Sequence, residues 1–379
     1  MVRCTAAPLL WLVVSVAVSA VAHAAEPAVP WASWRGDSRN TGVAQGPLPS
    51  KLAKRWVYAT GGPVKSSAVL GHGRTYIGSD DGALHAIDLV TGKRAWVFQA
   101  DGGIEAPPLI HGETIFVGST GGTFYALGLD GKQRWKADAE GKVTGSAVAV
   151  VEAKSGRTLV LVGSHAGTLQ AFDAASPKGK PVWKYSISDP INGGIGISAG
   201  RAIFGGCDGQ LHVVSVADGK SLTSIDGGGI IASSVALDGN DAYFGTFHNE
   251  FLRVGIASGE VAWRFHDQEF QYYSSPALTD SAVVFGGQDQ RLHALDRRSG
   301  KPLWELKAKG RVDSSPVVSG DRVVVGSHDG RLYLVELATG KLVDSFEVGG
   351  RISGTPAVGP KLVVVGTESN EVYAFGDAP

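Results

Sequence analysis

The chain has 379 residues, 43% of them hydrophobic, with 35 lysines and arginines against 36 aspartates and glutamates. That length supports one large core or two ordinary domains and the apolar content excludes a disordered chain, while near-neutral charge with no basic arm or helix excludes the phosphate-binding footprint of a nucleic-acid partner. Glycine, at 53 residues without a third-position period, points to tight turns and close strand contacts, as in an all-β repeat protein.

Residues 1–24 read as a cleaved secretory signal peptide. Arg3 precedes an apolar stretch over 6–21 broken by Pro8, Ser15 and Ser19, and Ala22-His23-Ala24 offers small residues at cleavage spacing. The stretch is shorter than the roughly 20 residues a spanning helix needs, so the expectation is a periplasmic or secreted protein with no transmembrane span after cleavage. Cys4 falls inside this segment and leaves Cys207 without an intrachain disulfide partner. Residues 25–50 form an N-terminal extension, 51–376 the repeat domain, and 377–379 a C-terminal tail.

Along the repeat domain an apolar strand ends on a glycine, a short polar turn follows, and a hydrophobic residue stands six positions after the glycine. The glycines are Gly78, Gly118, Gly163, Gly205, Gly245, Gly286, Gly326 and Gly366, at intervals of 40, 45, 42, 40, 41, 40 and 40. Within residues 314–346, SSPVVSG, DRVVVGS, GRLYLVEL and KLVDSF read as four strands joined by SGD, SHDG and ATGK turns, an antiparallel meander. One meander cannot bury both faces, but neighbours stacked around an axis can. The last unit stops after three strands (355–358, 362–365 and 371–375), whereas Lys54-Arg55-Trp56-Val57-Tyr58 stands alone before the first. Pairing these ends predicts a closed eight-bladed β-propeller, rather than an open solenoid or two smaller rings.

Trp56, Trp96, Trp135, Trp183, Trp263 and Trp304 occupy the fourth-strand position, which Thr223 and Asp344 take in the other two units. Regular placement around a ring suits packing at blade junctions better than a sugar or quinone platform. The segment from Ala86 through Asp88, Thr91, Gly92 and Trp96 resembles the AxDxxTGxxxW docking motif of the PQQ-type β-propeller repeat family, and Ala294, Asp296, Ser299, Gly300 and Trp304 match it with Ser for Thr. Trp34-Arg35-Gly36-Asp37 with Asn40-Thr41-Gly42 resembles the start of many such chains.

In such a ring, the loops joining second and third strands share a face with the connectors between blades. That face gathers Asp80, Asp81, His165, Asp208, His248, Asn249, Asp289, His328 and Asp329, with Glu105, Asp189, Asn192, His266, Glu269, Tyr272, Tyr273 and Asp313 on connectors. His165, His248 and His328 sit on nonadjacent blades, so no metal site is expected from them. The family resemblance implies two kinds of function. One is a quinoprotein dehydrogenase holding pyrroloquinoline quinone (PQQ) with a divalent or lanthanide ion in the central funnel, for which Asp313 or Glu105 would be base candidates; lone Cys207 departs from the adjacent-cysteine disulfide of many such enzymes. The other, closer in size, is similar to BamB-like outer-membrane assembly propellers. The sequence therefore favours an exported, non-enzymatic scaffold for envelope proteins or peptides with no cofactor, a carbohydrate-binding propeller being a third reading. The irregular connectors place the candidate partner-binding residues at Asp189, Asn192, His266, Glu269, Phe270, Tyr272 and Tyr273.

Overall fold

Every stretch between turns is short, β-branched or aromatic, and apolar on both faces in its second and third strands, and such strands need cover on each side. The computed structural model describes Met1 and residues 31–267 and 269–377, and it supplies that cover with eight four-stranded antiparallel sheets around one axis. Residues 2–30, which hold the proposed signal peptide beyond Met1, together with Gln268 and the last two residues, lie outside the described residues. No helix among the described residues is long and apolar enough to cross a membrane.

Blade one runs through Val69–Gly71, Arg74–Gly78, Ala83–Asp88 and Arg94–Gln99, and blades two to seven repeat this plan up to Leu342–Glu347. Blade eight takes Ala357–Gly359, Leu362–Thr367 and Glu371–Gly376 from the C-terminal end and Ala53–Ala59 from the N-terminal end, with Trp56 opposite Ala374. The ring closes as the split pattern predicts. Inner strands are shorter than the sequence suggests. Ser314, Ser315 and Pro316 read as strand, but only Val317–Ser319 pairs, because the preceding residues turn to line the axis.

The periodic glycines are steric necessities. Gly163 ends a second strand where a Cβ would meet Ile191 at 2.6 Å, and Gly245 does the same against Tyr272 at 2.6 Å. Equivalent wedges, such as Ile104, Ile231 and Ile352, come from the connector entering the next blade and are fully buried. Each blade is thereby locked to its successor.

At the outer edge the tryptophans do the same work. Trp96 Nε1 donates to Leu129 O at 2.8 Å and its ring lies over Gly131, where φ is +81° and a Cβ would sit 2.7 Å from the indole. Trp56, Trp183, Trp263 and Trp304 make the corresponding bond to Leu89, Val216, Arg297 and Leu337, and Trp135 lies over Gly179. The turn these rings cover is shaped by Asp88, which accepts from the Thr91 amide and hydroxyl at 2.8 and 2.7 Å; Asp296 and Ser299 repeat it ahead of Gly300. The two exceptions differ. Asp344 faces the seam, where no fourth-strand turn exists to cover, and its carboxylate accepts from Leu52 N at 2.8 Å. Thr223 leaves the space beside Gly259 open, with the nearest atom 3.9 Å from a built Cβ.

The N-terminal extension closes one end of the channel. Trp31 exchanges backbone hydrogen bonds with Leu70 of blade one, and the carbonyls of Ala32, Ser38, Arg39, Thr41, Gly42 and Pro47 accept from Ile110, Ile197, Leu237, Leu278, Val318 and Lys361 on blades two, four, five, six, seven and eight. The strap thus satisfies inner-strand edges that would otherwise stay unpaired in the channel. Arg35 is its keystone, fully buried and donating from Nη1 to Pro316 O at 2.7 Å and from Nη2 to Pro276 O at 2.6 Å. Burial pushes its guanidinium down to about 9, so it stays charged at neutral pH.

Candidate functional site

The other end of the channel is open. A cavity of about 380 Å³ on the axis is lined by connector residues from all eight blade junctions, including Lys65, Glu105, Thr144, Asn192, Ser233, Tyr273, Asp313 and Ser353, with Trp34 of the strap among its lining residues. Small residues make the throat possible: Gly194 N donates to Ser234 Oγ at 2.7 Å, Ser234 N to Ser275 Oγ and Ser275 N to Ser315 Oγ at 2.9 Å, and Thr355 N to Ser67 Oγ at 2.8 Å. This chain of amide-to-hydroxyl bonds ties successive connectors together. Trp34 Nε1 joins it at Ser234 Oγ, 3.1 Å away. The serine pairs at 66–67, 233–234, 274–275 and 314–315 carried that signal at the repeat spacing, and sequence reasoning missed them.

Charged groups ring the mouth. Lys65 Nζ lies 2.6 Å from Asp80 and 3.3 Å from Glu105. Asp313 Oδ2 lies 3.4 Å from His328 Nε2, which also meets Ser353 Oγ at 3.1 Å, while Asp313 Oδ1 is buried without a partner. Burial raises the Asp313 carboxyl above its ordinary value, against the opposing pull of His328 and Arg311. His165 bonds Thr144 Oγ1 at 2.9 Å and is held below its usual value by burial and then by Lys142, so it is neutral at pH 7. The Tyr273 phenol is raised, chiefly by burial and then by Asp313, and remains protonated.

Of the sequence-derived candidates, Asn192 and Tyr273 line this cavity together with Glu105, His165 and Asp313. Phe270 and Tyr273 are 45% and 44% exposed, and Tyr273 packs at a tilt against Phe247 with centroids 5.4 Å apart. His266 and Glu269 are exposed outside the cavity and Asp189 is half-buried. Tyr272 requires correction as a partner-binding candidate: it is 1% exposed, wedged over Gly245 and packed edge-on against Phe285 at 5.2 Å. Its offset of 27 residues from Gly245, like that of Ile352 from Gly326 at 26, marks it as a wedge.

Other titratable groups serve as struts. His85 accepts or donates between Tyr58 OH at 3.1 Å and Asp81 Oδ2 at 3.3 Å, and His212 stands likewise between Tyr185 and Asp208. Each joins the outer strand of one blade to the third strand of the next. Asn192 Nδ2 lies 3.0 Å from Cys207 Sγ, and burial, then Asp189 and Asp208, push that thiol up, which suppresses the nucleophilic thiolate. Asp267, His293 and Glu305 converge closely enough to hold a metal, but Arg291 already pairs with Asp267 at 3.2 Å and Glu305 at 3.6 Å, placing a positive charge where an ion would need to sit. His248 Nδ1 is engaged by Gly228 O at 2.6 Å, so the three histidines considered from sequence have separate partners.

A quinone cofactor of the kind the family resemblance raised is a tricarboxylate and needs cationic or amide donors around a flat stacking slot. The lining instead offers acids and serine hydroxyls; among its described residues the one lysine is committed to two carboxylates, Asn192 Nδ2 lies on Cys207, His165 Nε2 on Thr144, and the indole N–H of Trp34 is tied to Ser234. These residues do not fit that group.

The family model described as outer membrane protein assembly factor BamB matches residues 31–176 and 165–378. An outer membrane protein assembly factor BamB from Burkholderia pseudomallei is 26% identical over 263 residues, covering 64% of this chain and 66% of the relative, so the match spans just under two thirds of that relative's length. Among solved structures, BamB from Moraxella catarrhalis superposes with a TM-score of 0.70 at 17% identity over 86% of this chain and 99% of that one. The quinohemoprotein alcohol dehydrogenase of Comamonas testosteroni gives 0.76 at 14% identity over 92% and 81%. At such identities the two structures show a shared fold.

Proposed function

The chain belongs to the outer membrane protein assembly factor BamB family, and from that premise we propose that it is a non-enzymatic scaffold that binds envelope proteins or peptides on its open rim. Family membership gives it a periplasmic or secreted location. The observation that carries the reading is the exposed aromatic pair Phe270 and Tyr273 on the most irregular connector, beside a polar mouth whose donor chemistry does not suit a quinone. Aromatic side chains flanked by polar groups are the usual anchors of a protein interface. The carbohydrate reading finds less support, since the repeat tryptophans are spent on blade junctions.

The test compares immobilised wild-type protein with a Phe270→Asp, Tyr273→Ala double variant in envelope extract. Wild type should retain outer-membrane assembly components that the variant releases. Equal retention by both, or stoichiometric binding of pyrroloquinoline quinone by the wild type, would overturn the proposal.

A further inference from the structure

The axial cavity has an excess of acceptors. Its lining acids are Glu105 and Asp313, and Lys65, the one lysine or arginine among its described lining residues, is neutralised by Asp80 and Glu105. Three oxygens of its lining residues are buried just beneath the surface with no donor: Asp313 Oδ1, Asn192 Oδ1 and Ser233 Oγ, the last on a residue only 5% exposed. They come from the connectors before blades seven, four and five, so no rearrangement within one loop pairs them. Buried acceptors without donors are costly, and a ligand that brings donors removes the cost.

We infer that the funnel binds the guanidinium of an arginine side chain presented by a peptide, with Asp313 and Asn192 accepting its N–H groups and Tyr273 at the lip facing the cation. This rests on the scaffold reading above and names the chemistry of the partner segment. Arginine fits better than lysine because its planar fork carries five donors toward acceptors on separate walls. A carboxylate with one free oxygen supplies a charge-assisted bond, and an aromatic ring at the entrance adds cation–π attraction. The cavity, about 380 Å³, is large enough for such a side chain and the backbone on either side.

The experiment titrates purified protein with acetylated, amidated Gly-Arg-Gly and with the same peptide carrying citrulline, the uncharged isostere, by calorimetry. The arginine peptide should bind at least about tenfold more tightly, as expected for a charge-assisted bond. Asp313→Asn should erase most of that advantage, and Tyr273→Leu, at an exposed position that does not threaten folding, should weaken the arginine peptide by roughly threefold. Equal binding of the two peptides, or arginine binding unchanged in both variants, overturns the inference. Calcium binding lost in Asp313→Asn with no response to the arginine peptide overturns it too. Envelope-protein retention separates the two readings: if Asp313→Asn keeps its partners while arginine discrimination is absent, the arginine site falls and the scaffold stands. If arginine discrimination is intact and no partner is retained, the arginine site stands and the scaffold falls.

Discussion

The two ends of the channel are made of the same repeat and come out opposite. At one end the strap of residues 31–48 satisfies inner-strand edges from six blades and a turn of blade eight, and drives Arg35 between the Pro276 and Pro316 carbonyls. At the other, connectors from the same blades leave Asp313, Asn192 and Ser233 oxygens without partners and two aromatic rings in solvent. The strapped end commits nearly all its polar groups to the fold, Arg35 Nε excepted, whereas the open end keeps several acceptors for a ligand. The difference arises because a second piece of chain reaches only one of the two faces.

The largest break in that comparison is Arg35→Ala. It removes two charge-assisted bonds and a buried side chain, and the loss should be about 3–5 kcal/mol in denaturant unfolding; a near-wild-type midpoint would mean that the strap is not structural. The outer edge of the strap side gives an internal control. Gly300→Ala, at φ +70° with the Trp263 indole 2.6 Å from the new Cβ, should cost about 2–4 kcal/mol, whereas Gly259→Ala, at φ +72° with open space, should cost only the left-handed backbone penalty of about 1–2 kcal/mol. Equal losses would remove the tryptophan from the explanation.

The open end should show its strain in pH. The folded-state Asp313 carboxyl is raised by burial, so its ionised form is tolerated less well in the folded than in the unfolded chain. The penalty is absent below the ordinary aspartate value and grows as pH rises through the raised one. Unfolding curves of wild type and Asp313→Asn should therefore diverge in favour of the variant from about pH 4 upward; parallel curves would contradict the buried, half-partnered carboxylate. The smallest effect belongs to Phe270→Ala. With the ring 45% exposed, stability should move by no more than about 0.5 kcal/mol, so any loss of partner binding would be a surface effect.

Much of this architecture was legible in the sequence. The eight glycines and the orphan strand around Trp56 declared both the blade count and the closure, because a steric requirement repeats once per blade. Asp344 was legible only as an exception; the reason for it, a seam without a turn to cover, depends on where the chain ends meet. The stretch from Trp34 to Gly42 was legible as a motif, but its course across the blades was not, because most of its bonds to the inner strands run from backbone to backbone, and Arg35 gave no sign of the carbonyls more than 200 residues away that hold it. Tyr272 misled for a different reason. In an aromatic connector it looked like surface, yet its spacing from Gly245 already placed it in the series of wedges. The mouth was half legible: Glu105, Asn192, Tyr273 and Asp313 fall on the expected face, but only geometry shows which of their oxygens lack a donor.

End-specific crosslinking in cells tests most directly whether the unsaturated end is the binding end. A photoreactive phenylalanine analogue at residue 270 samples the open rim, and one at residue 90, where Val90 is 82% exposed in a fourth-strand turn, samples the strap side. Adducts to outer-membrane assembly components from 270 and none from 90 are the predicted result; the same adducts from 90 with none from 270 would contradict the account.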